Sequence, residues 1–324
     1  MKPLVSILIP CYNAEAWLAA TLESALAQTW QDKEILVVND GSSDGSLSVA
    51  RGFAGRGVKV IDQPNQGQSA AFNRAIAESR GDYLEFLDAD DLLAPDKIER
   101  QVAMADGSVD RMIAGEWTRF TADPAEASFE PGDLWRDNLD PVEWLVTCWR
   151  QNLMMHGAAW LIPSALVRRA GGWNPELSLI NDFEFFSRLI LATDRVRFCG
   201  GARSYYRSNL PNSLSGNTTP RGWLSAFTSL SLGTGRLLSV EDSARTRDAS
   251  AAVFRYYYFS AYPDVRALRA RAKVRIVELG HTLGRPEGGP AFKAAAAVLG
   301  WRIAKRVQKL AYRRGYKQLA TPWK

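Results

Sequence analysis

Cysteine is scarce in this chain. Its 324 residues hold three, Cys11, Cys148 and Cys199, far apart and without a C-x-x-C pair. That argues against a disulfide framework or a zinc site and suits a reducing cytosol. No apolar run approaches the roughly 18 residues of a spanning helix, which argues against an integral membrane protein. The opening stretch "MKPLVSILIPCYN" has a short apolar part containing Pro10, and no small-residue cleavage site follows. It reads as a first buried strand, not as a secretory leader. No G-x-G-x-x-G follows that strand, which disfavours a nicotinamide enzyme. No Gly-rich loop with a basic residue stands near the N-terminus, which disfavours a nucleotidyltransferase. Acid is missing from the other end. Beyond Glu287 there is no Asp or Glu, while Lys293, Arg302, Lys305, Arg306, Lys309, Arg313, Arg314, Lys317 and Lys324 follow. The net charge of +5 is thus concentrated in the tail, and the body is near neutral or acidic.

What is present is 46% apolar, enough for one large domain or two smaller ones with real cores. "LVSILIP", "EILVVND", "VKVID" and "YLEFLD" read as buried strands. Between them "EAWLAATLESALAQ", "SDGSLSVARGFA" and "QSAAFNRAIAESR" read as helices. "PDKIERQVAMA" is a further helix with Pro95 at its first position, and "DRMIAGEW" a further strand. This alternation predicts an α/β fold with a largely parallel sheet. Ligands of such sheets sit beyond the carboxyl ends of the strands. Those ends hold Pro10 to Asn13, Asn39 to Gly41, Asp62 to Asn65 and Asp88 to Asp91. The segment from about Gly115 to Ser215 reads as loops and short strands covering the crevice. From Trp223 onward the pattern is helical, with a last helix from Ala291 to about Tyr316.

"YLEFLDADDLLAP" runs an apolar strand into Asp88, Asp90 and Asp91. Crowded acids repel, so either water solvates them or a cation neutralises them. In an extended segment Asp88 and Asp90 project on the same side. The plainer alternative is a solvated turn with an N-cap aspartate. Four stretches in order bear on the choice: "SILIPCYNAEAWLAATLESALAQTW", "EILVVNDGSSDGS", "NQGQSAAFNRAI" and "GDYLEFLDADDLLAPDKIE". Together they resemble the successive motifs of glycosyltransferase family 2 over roughly residues 3 to 215. Several ordered motifs are far more specific than one Asp-x-Asp match.

The resemblance implies a GT-A catalytic domain over residues 1–220 and a helical C-terminal extension over 221–324. It implies an inverting transfer from a nucleotide-diphosphate sugar, with Asp90 ligating Mg or Mn and Asp88 touching ribose or metal. A divalent ion with hard oxygen ligands would stabilise the charge that builds on the departing diphosphate. Asp40 would accept an N–H from a base edge, uracil favoured, with Tyr12 stacking near the base. Pro10 would shape the turn, Glu15 line the pocket, Gly67 allow close backbone approach and Asn73 bond loop backbone. Asp40 as an Asx-turn acid and Asn73 as a satisfied helix residue are the plainer readings, and Asp44 reads as an Asx-turn acid or a cap.

An inverting transfer needs a base for the acceptor hydroxyl. In "AGGWNPELSLINDFEFFSRLIL" Asp182 matches the family's base, with Asn181 where the family has Glu. That departure touches acceptor contacts or the base's pKa. An N-cap role is the alternative for Asp182, and Glu184 is a weaker candidate base. His156, matching a polar position before the family's acceptor-side strand, touches acceptor or donor sugar or is structural. Arg207 either grips the diphosphate from a mobile loop or makes a surface ion pair. No Q-x-x-R-W motif is present, so one sugar is transferred.

In the last helix Phe292, Ala296, Leu299, Ile303, Val307 and Leu310 form an apolar stripe flanked by cations. Such a helix fits an anionic membrane surface and suits a glycan or lipid-linked acceptor. Nucleic acid would also accept the charge, but the site in front argues for a sugar nucleotide, and a packed core helix with a solvated basic face is the plainer alternative. The expected location is the cytoplasm, peripheral on the inner face of the cell membrane. The competing function is an inactive nucleotide-sugar-binding or scaffold protein.

Overall fold

The computed structural model describes residues 2–154, 156–210 and 219–313, with residues 312 and 313 described by backbone alone. Ser215, Arg314, Tyr316, Lys317 and Lys324, all named above, lie outside the described residues. The chain forms two compact units. One is Met1–Trp144 with Met155–Asn217, the other Leu145–Met154 with Thr218–Lys324.

In the first unit strands and helices alternate: β1 (Val5–Cys11), α1 (Glu15–Leu26), β2 (Lys33–Asp40), α2 (Ser46–Gly52), β3 (Val58–Gln63), α3 (Gln68–Glu78) and β4 (Tyr83–Phe86). Every residue of β1 is buried, as a strand covered on both faces requires. β1 pairs in parallel with β2 and β4, and β2 with β3, so their carboxyl ends share one rim. α1 buries Leu18, Thr21, Leu22 and Ala25, one helical face. From that face the Thr21 hydroxyl donates to the Ala89 carbonyl at 2.9 Å, tying the helix to the acidic segment.

The sheet continues through β5 (Leu92–Leu93), β6 (Arg111–Phe120), β7 (Trp160–Pro163) and β8 (Arg195–Arg207). Among the described residues it has eight strands, ordered β3-β2-β1-β4-β7-β6-β8-β5. β7 runs antiparallel to β4 and β6, β5 antiparallel to β8, and β6 parallel to β8. A bulge breaks the last pairing at Gly115. A Cβ there would lie 2.2 Å from the Ala202 carbonyl oxygen, so only glycine fits.

Three expectations are corrected. Pro95 precedes α4 (Lys97–Ala105) and does not open it. Its carbonyl accepts the Thr29 N–H at 2.8 Å, a loop contact that a first-turn residue could not serve equally. The segment from 115 is not mere loops. It holds α5 (Pro141–Arg150), α6 (Ser164–Ala170), α7 (Asn181–Ile190) and the 13-residue β8. Such short helices owe their stability to tertiary burial, here of Phe185, Phe186, Leu189 and Ile190.

The second unit contributes α8 (Pro220–Val240), α9 (Ala244–Ser260), α10 (Arg266–Glu278), α11 (Pro290–Leu299) and α12 (Trp301–Arg313). The single last helix expected from periodicity is therefore two. Gly300, at φ 76°, breaks it in a backbone region that glycine enters freely. No helix among the described residues is long and apolar enough to cross a membrane.

Candidate active site

Beyond β4 the chain turns tightly, the Asp91 N–H donating to the Asp88 carbonyl at 3.1 Å. Asp91 is fully buried. Its Oδ1 accepts the Arg207 backbone N–H at 2.7 Å, and its Oδ2 lies 2.6 Å from His156 Nε2. Asp88 accepts the Gln68 amide at 2.8 Å. Asp90 differs: among the described residues no other residue donates to its carboxylate. Burial raises all three carboxyl pKa values. Repulsion from Asp91 and Asp90 adds to this at Asp88, and repulsion from Asp91 at Asp90, which is pushed up to about 7. Burial pushes the His156 imidazole the other way, down to about 4. The cluster thus resists its own negative charge. Ligand atoms of Asp88, Asp91 and His156 lie within 4.8 Å of one another. This oxygen-rich set, with Asp90 beside it, fits a hard divalent cation.

Asp182 stands in the first turn of α7, its carboxyl raised by burial and held back by the Phe183 N–H at 2.9 Å. It is near enough to Asp88 to raise that group. Ile180, just before, takes the left-handed φ of 59°, which costs a β-branched residue about 1–2 kcal/mol. Asn181 and Asp182 follow directly from that turn.

Asn181 faces inward. Its Oδ1 accepts the Asp182 N–H at 3.1 Å, and its Nδ2 donates to Ser69 Oγ at 3.0 Å and Gln68 Oε1 at 3.2 Å. A backbone N–H can only donate, so it fixes which end of the Asn181 amide is oxygen. That in turn points the Gln68 NH2 at Asp88. Glu184 is engaged elsewhere: both its oxygens accept from Arg188, whose other N–H groups grip the carbonyls of Ala170, Gly171 and Gly172. It therefore braces the loop before α7.

The remaining candidates lie on the same rim. Pro10 is a buried residue of β1 and Tyr12, just past it, is 55% exposed. Asp40 accepts from the Gln63 side chain and the N–H groups of Gln66 and Gly67, at 2.8 to 2.9 Å. Of about four lone-pair positions on a carboxylate, three hold the loop that leads into α3. Gly67 sits at φ 89° before that helix. Glu15 accepts the Gly45 N–H at 2.9 Å, and Asp44 accepts the Ser46 N–H as an Asx-turn acid does. Asn73 uses both ends of its amide on the backbone of Trp173, each at 2.8 Å. Both ends of its amide thus bind loop backbone. Arg207 is not on a loop but ends β8, 7% exposed. It lies between the rings of Trp17 and Phe120, at 4.6 and 4.3 Å, and donates to the Asp90 carbonyl at 2.8 Å.

Sequence reasoning missed Gln68, the partnership of Asp91 with His156, and the brace formed by Arg188 and Trp173. Gln68 stood inside a quoted motif, but a lone glutamine carries no spacing signal. Trp173 stacks on Phe72 and Phe185 at 4.7 and 4.1 Å, contacts between residues about a hundred positions apart in the first case.

An acidic rim at the carboxyl ends of a mostly parallel sheet, with a carboxylate at a facing helix start, is the layout of a GT-A-like fold. Residues 6–159 match the model of the family described as Glycosyl transferase family 2. An uncharacterized glycosyltransferase of Haemophilus influenzae is 41% identical over 103 residues, 31% of this chain and 41% of that protein. The uncharacterized glycosyltransferase RT0329 of Rickettsia typhi is 30% identical over 193 residues, 58% of this chain and 59% of its own length. The chain thus spans less than two thirds of the curated relatives. Residues 1–349 of TarS from S. aureus, solved with UDP-GlcNAc, superpose with a TM-score of 0.70 at 15% identity, covering 97% of this chain and 92% of that one. The mannosyltransferase PcManGT from Pyrobaculum calidifontis, solved with GDP-Man and Mn2+, gives 0.58 at 16% identity, covering 96% and 88%. At these identities the likeness establishes the fold.

Proposed function

We propose that the chain is a metal-dependent, inverting glycosyltransferase that moves one sugar from a nucleotide-diphosphate sugar, UDP favoured, to an acceptor hydroxyl. The observation that carries this is the Asp90 carboxylate, largely buried among acids and without a donor from any other residue. Asp88 and Asp90 would hold Mn2+ or Mg2+, with Asp91 and His156 fixing the turn behind them. When bound, the ion supplies positive charge to the departing diphosphate. Tyr12 and the last lone pair of Asp40 are the groups left to receive the base. Arg207, locked between two rings, adds positive potential near the diphosphate side. Asp182 takes the proton from the acceptor hydroxyl. Its raised pKa makes it a stronger base once ionised. Asn181, placed on the acceptor side by the sequence, acts by orienting Gln68 and the first turn of α7.

The acceptor in this reading is a polysaccharide or lipid-linked glycan, met from a peripheral position on the inner face of an anionic membrane. The helical extension from about residue 221 serves that position, and nucleic acid plays no part. The test is a donor panel of UDP-, GDP- and dTDP-sugars with Mn2+, scored for nucleoside diphosphate release and for the anomeric configuration of the product by proton NMR. One donor should turn over with inversion. Binding without release of any diphosphate would instead mark an inactive nucleotide-sugar-binding protein.

A further inference from the structure

A cleft of about 300 Å3 opens within the second unit, walled by the end of α9, one face of α10 and the start of α12. Tyr258, Tyr262, Arg266, Arg269, Lys273 and Arg302 line it, and no carboxylate does. Arg269 is buried, donating to the carbonyls of Asp264 and Pro263 beneath the two tyrosine rings. Arg266, Lys273 and Arg302 are exposed. Among the described residues none of these three has an acidic partner within salt-bridge distance, whereas Lys309 nearby pairs with Asp264 at 3.0 Å. Unpaired cations held around one concavity repel one another, and an anion removes that repulsion.

A second feature borders the cleft. α12 carries Arg302, Arg306 and Lys309 along one face. On the adjoining face Ile303, Val307 and Leu310 remain 50%, 55% and 51% exposed, and Ala304 on the far side is buried. Just before Gly300, Val298 and Leu299 are 84% and 50% exposed. An apolar stripe open to solvent beside a cationic cleft matches the two layers of a lipid interface, acyl chains and headgroup phosphates.

We propose that this cleft is a phosphate-binding site for an anionic lipid headgroup, seated when the α11–α12 stripe enters the membrane surface. It deepens the membrane part of the reading above. It is measured without donor, so its failure leaves the transfer reading untouched.

The experiment is sedimentation of the full chain with vesicles of phosphatidylcholine alone, or with about a third phosphatidylglycerol. Binding is expected to the anionic vesicles only. Each cation near the surface is worth about fivefold in partition, so Arg266→Gln with Lys273→Gln and Arg302→Gln should lower it about a hundredfold. The three are exposed, so helicity by circular dichroism should not change; if the triple variant fails to fold, Arg302→Gln alone should still lose about fivefold. Lys2→Gln with Arg74→Gln and Arg168→Gln removes equal charge from the first unit and should cost less than fivefold. Equal loss in both triple variants, or equal binding to neutral vesicles, overturns the proposal. So does tight calorimetric binding of inorganic diphosphate by a chain that ignores both kinds of vesicle, which makes the anion a soluble one.

Discussion

The two units carry opposite kinds of charge. The rim of the first crowds carboxylates, mostly buried, two of them fixed by named neighbours, Asp88 by Gln68 and Asp91 by His156 and the Arg207 N–H. The face of the second crowds cations that stand in water, three of them without acids. A buried charge that is held in place changes its surroundings when altered. An exposed one contributes a small, additive and screened amount. Single substitutions should therefore act strongly on the first unit and weakly on the second.

The largest effect expected is that of Asp182→Asn. Loss of a positioned base costs about 10²–10⁴ in turnover. The stabilisation by nucleotide and metal should persist, since Asp182 is not among their ligands in this account. Turnover within tenfold of wild type would remove the base assignment.

Next comes Asn181→Asp. An aspartate cannot donate to Gln68, so the Gln68 amide is free to turn its oxygen toward Asp88. Disturbing a residue that orients a ligand typically costs about 10–100-fold in metal affinity. Calorimetry with Mn2+ reads this directly, and Gln68→Glu should reproduce the loss. Unchanged affinity in both would show that the relay orients nothing.

A smaller effect concerns pH. Free carboxyls titrate near 4, but Asp90 in the fold titrates at about 7. The metal-free fold therefore binds the extra proton between those values and loses stability as pH rises through that window. Asp90→Asn should remove the loss and stabilise the chain in EDTA at pH 8. Thermal melts at pH 5 and pH 8 check the sign, and a wild type that gains stability over this range would contradict it.

The smallest is the roughly fivefold loss in vesicle partition with Arg302→Gln. At 0.5 M salt, where screening acts over about 4–5 Å, it should nearly vanish. The same salt should leave the nucleotide-dependent response of the buried acids largely in place, which sharpens the contrast between the units.

How far the sequence reached differs between the units for related reasons. β1 to β4 and their helices were legible because buried parallel strands are continuous apolar runs, and α1 shows its buried face at i, i+3, i+4 and i+7. The acids at the strand ends were legible because their chemistry is costly without a partner. What was not legible depends on long-range contacts. α7 is stable through Phe185 and Phe186 meeting Trp160 and Trp173, and its neighbours in sequence do not announce that. The roles of Asp91 and Gln68 depend on His156 and Asn181, 65 and 113 positions away. In the second unit the helices were visible from periodicity, but a stripe that continues through Gly300 hid the break there. The cationic cleft needs α9, α10 and α12 brought together, which no linear pattern reveals.

The central claim is a donor site completed by a divalent ion on Asp90. It is tested most directly by thermal shift with UDP, GDP, dTDP and CMP, each with Mn2+, Mg2+ or EDTA, on wild type and Asp90→Ala. Ligand about a hundredfold above its dissociation constant should stabilise by roughly 2.7 kcal/mol. The account predicts a shift with one nucleotide, present only with metal and lost in Asp90→Ala. A shift that survives EDTA, or none with any nucleotide, would contradict it.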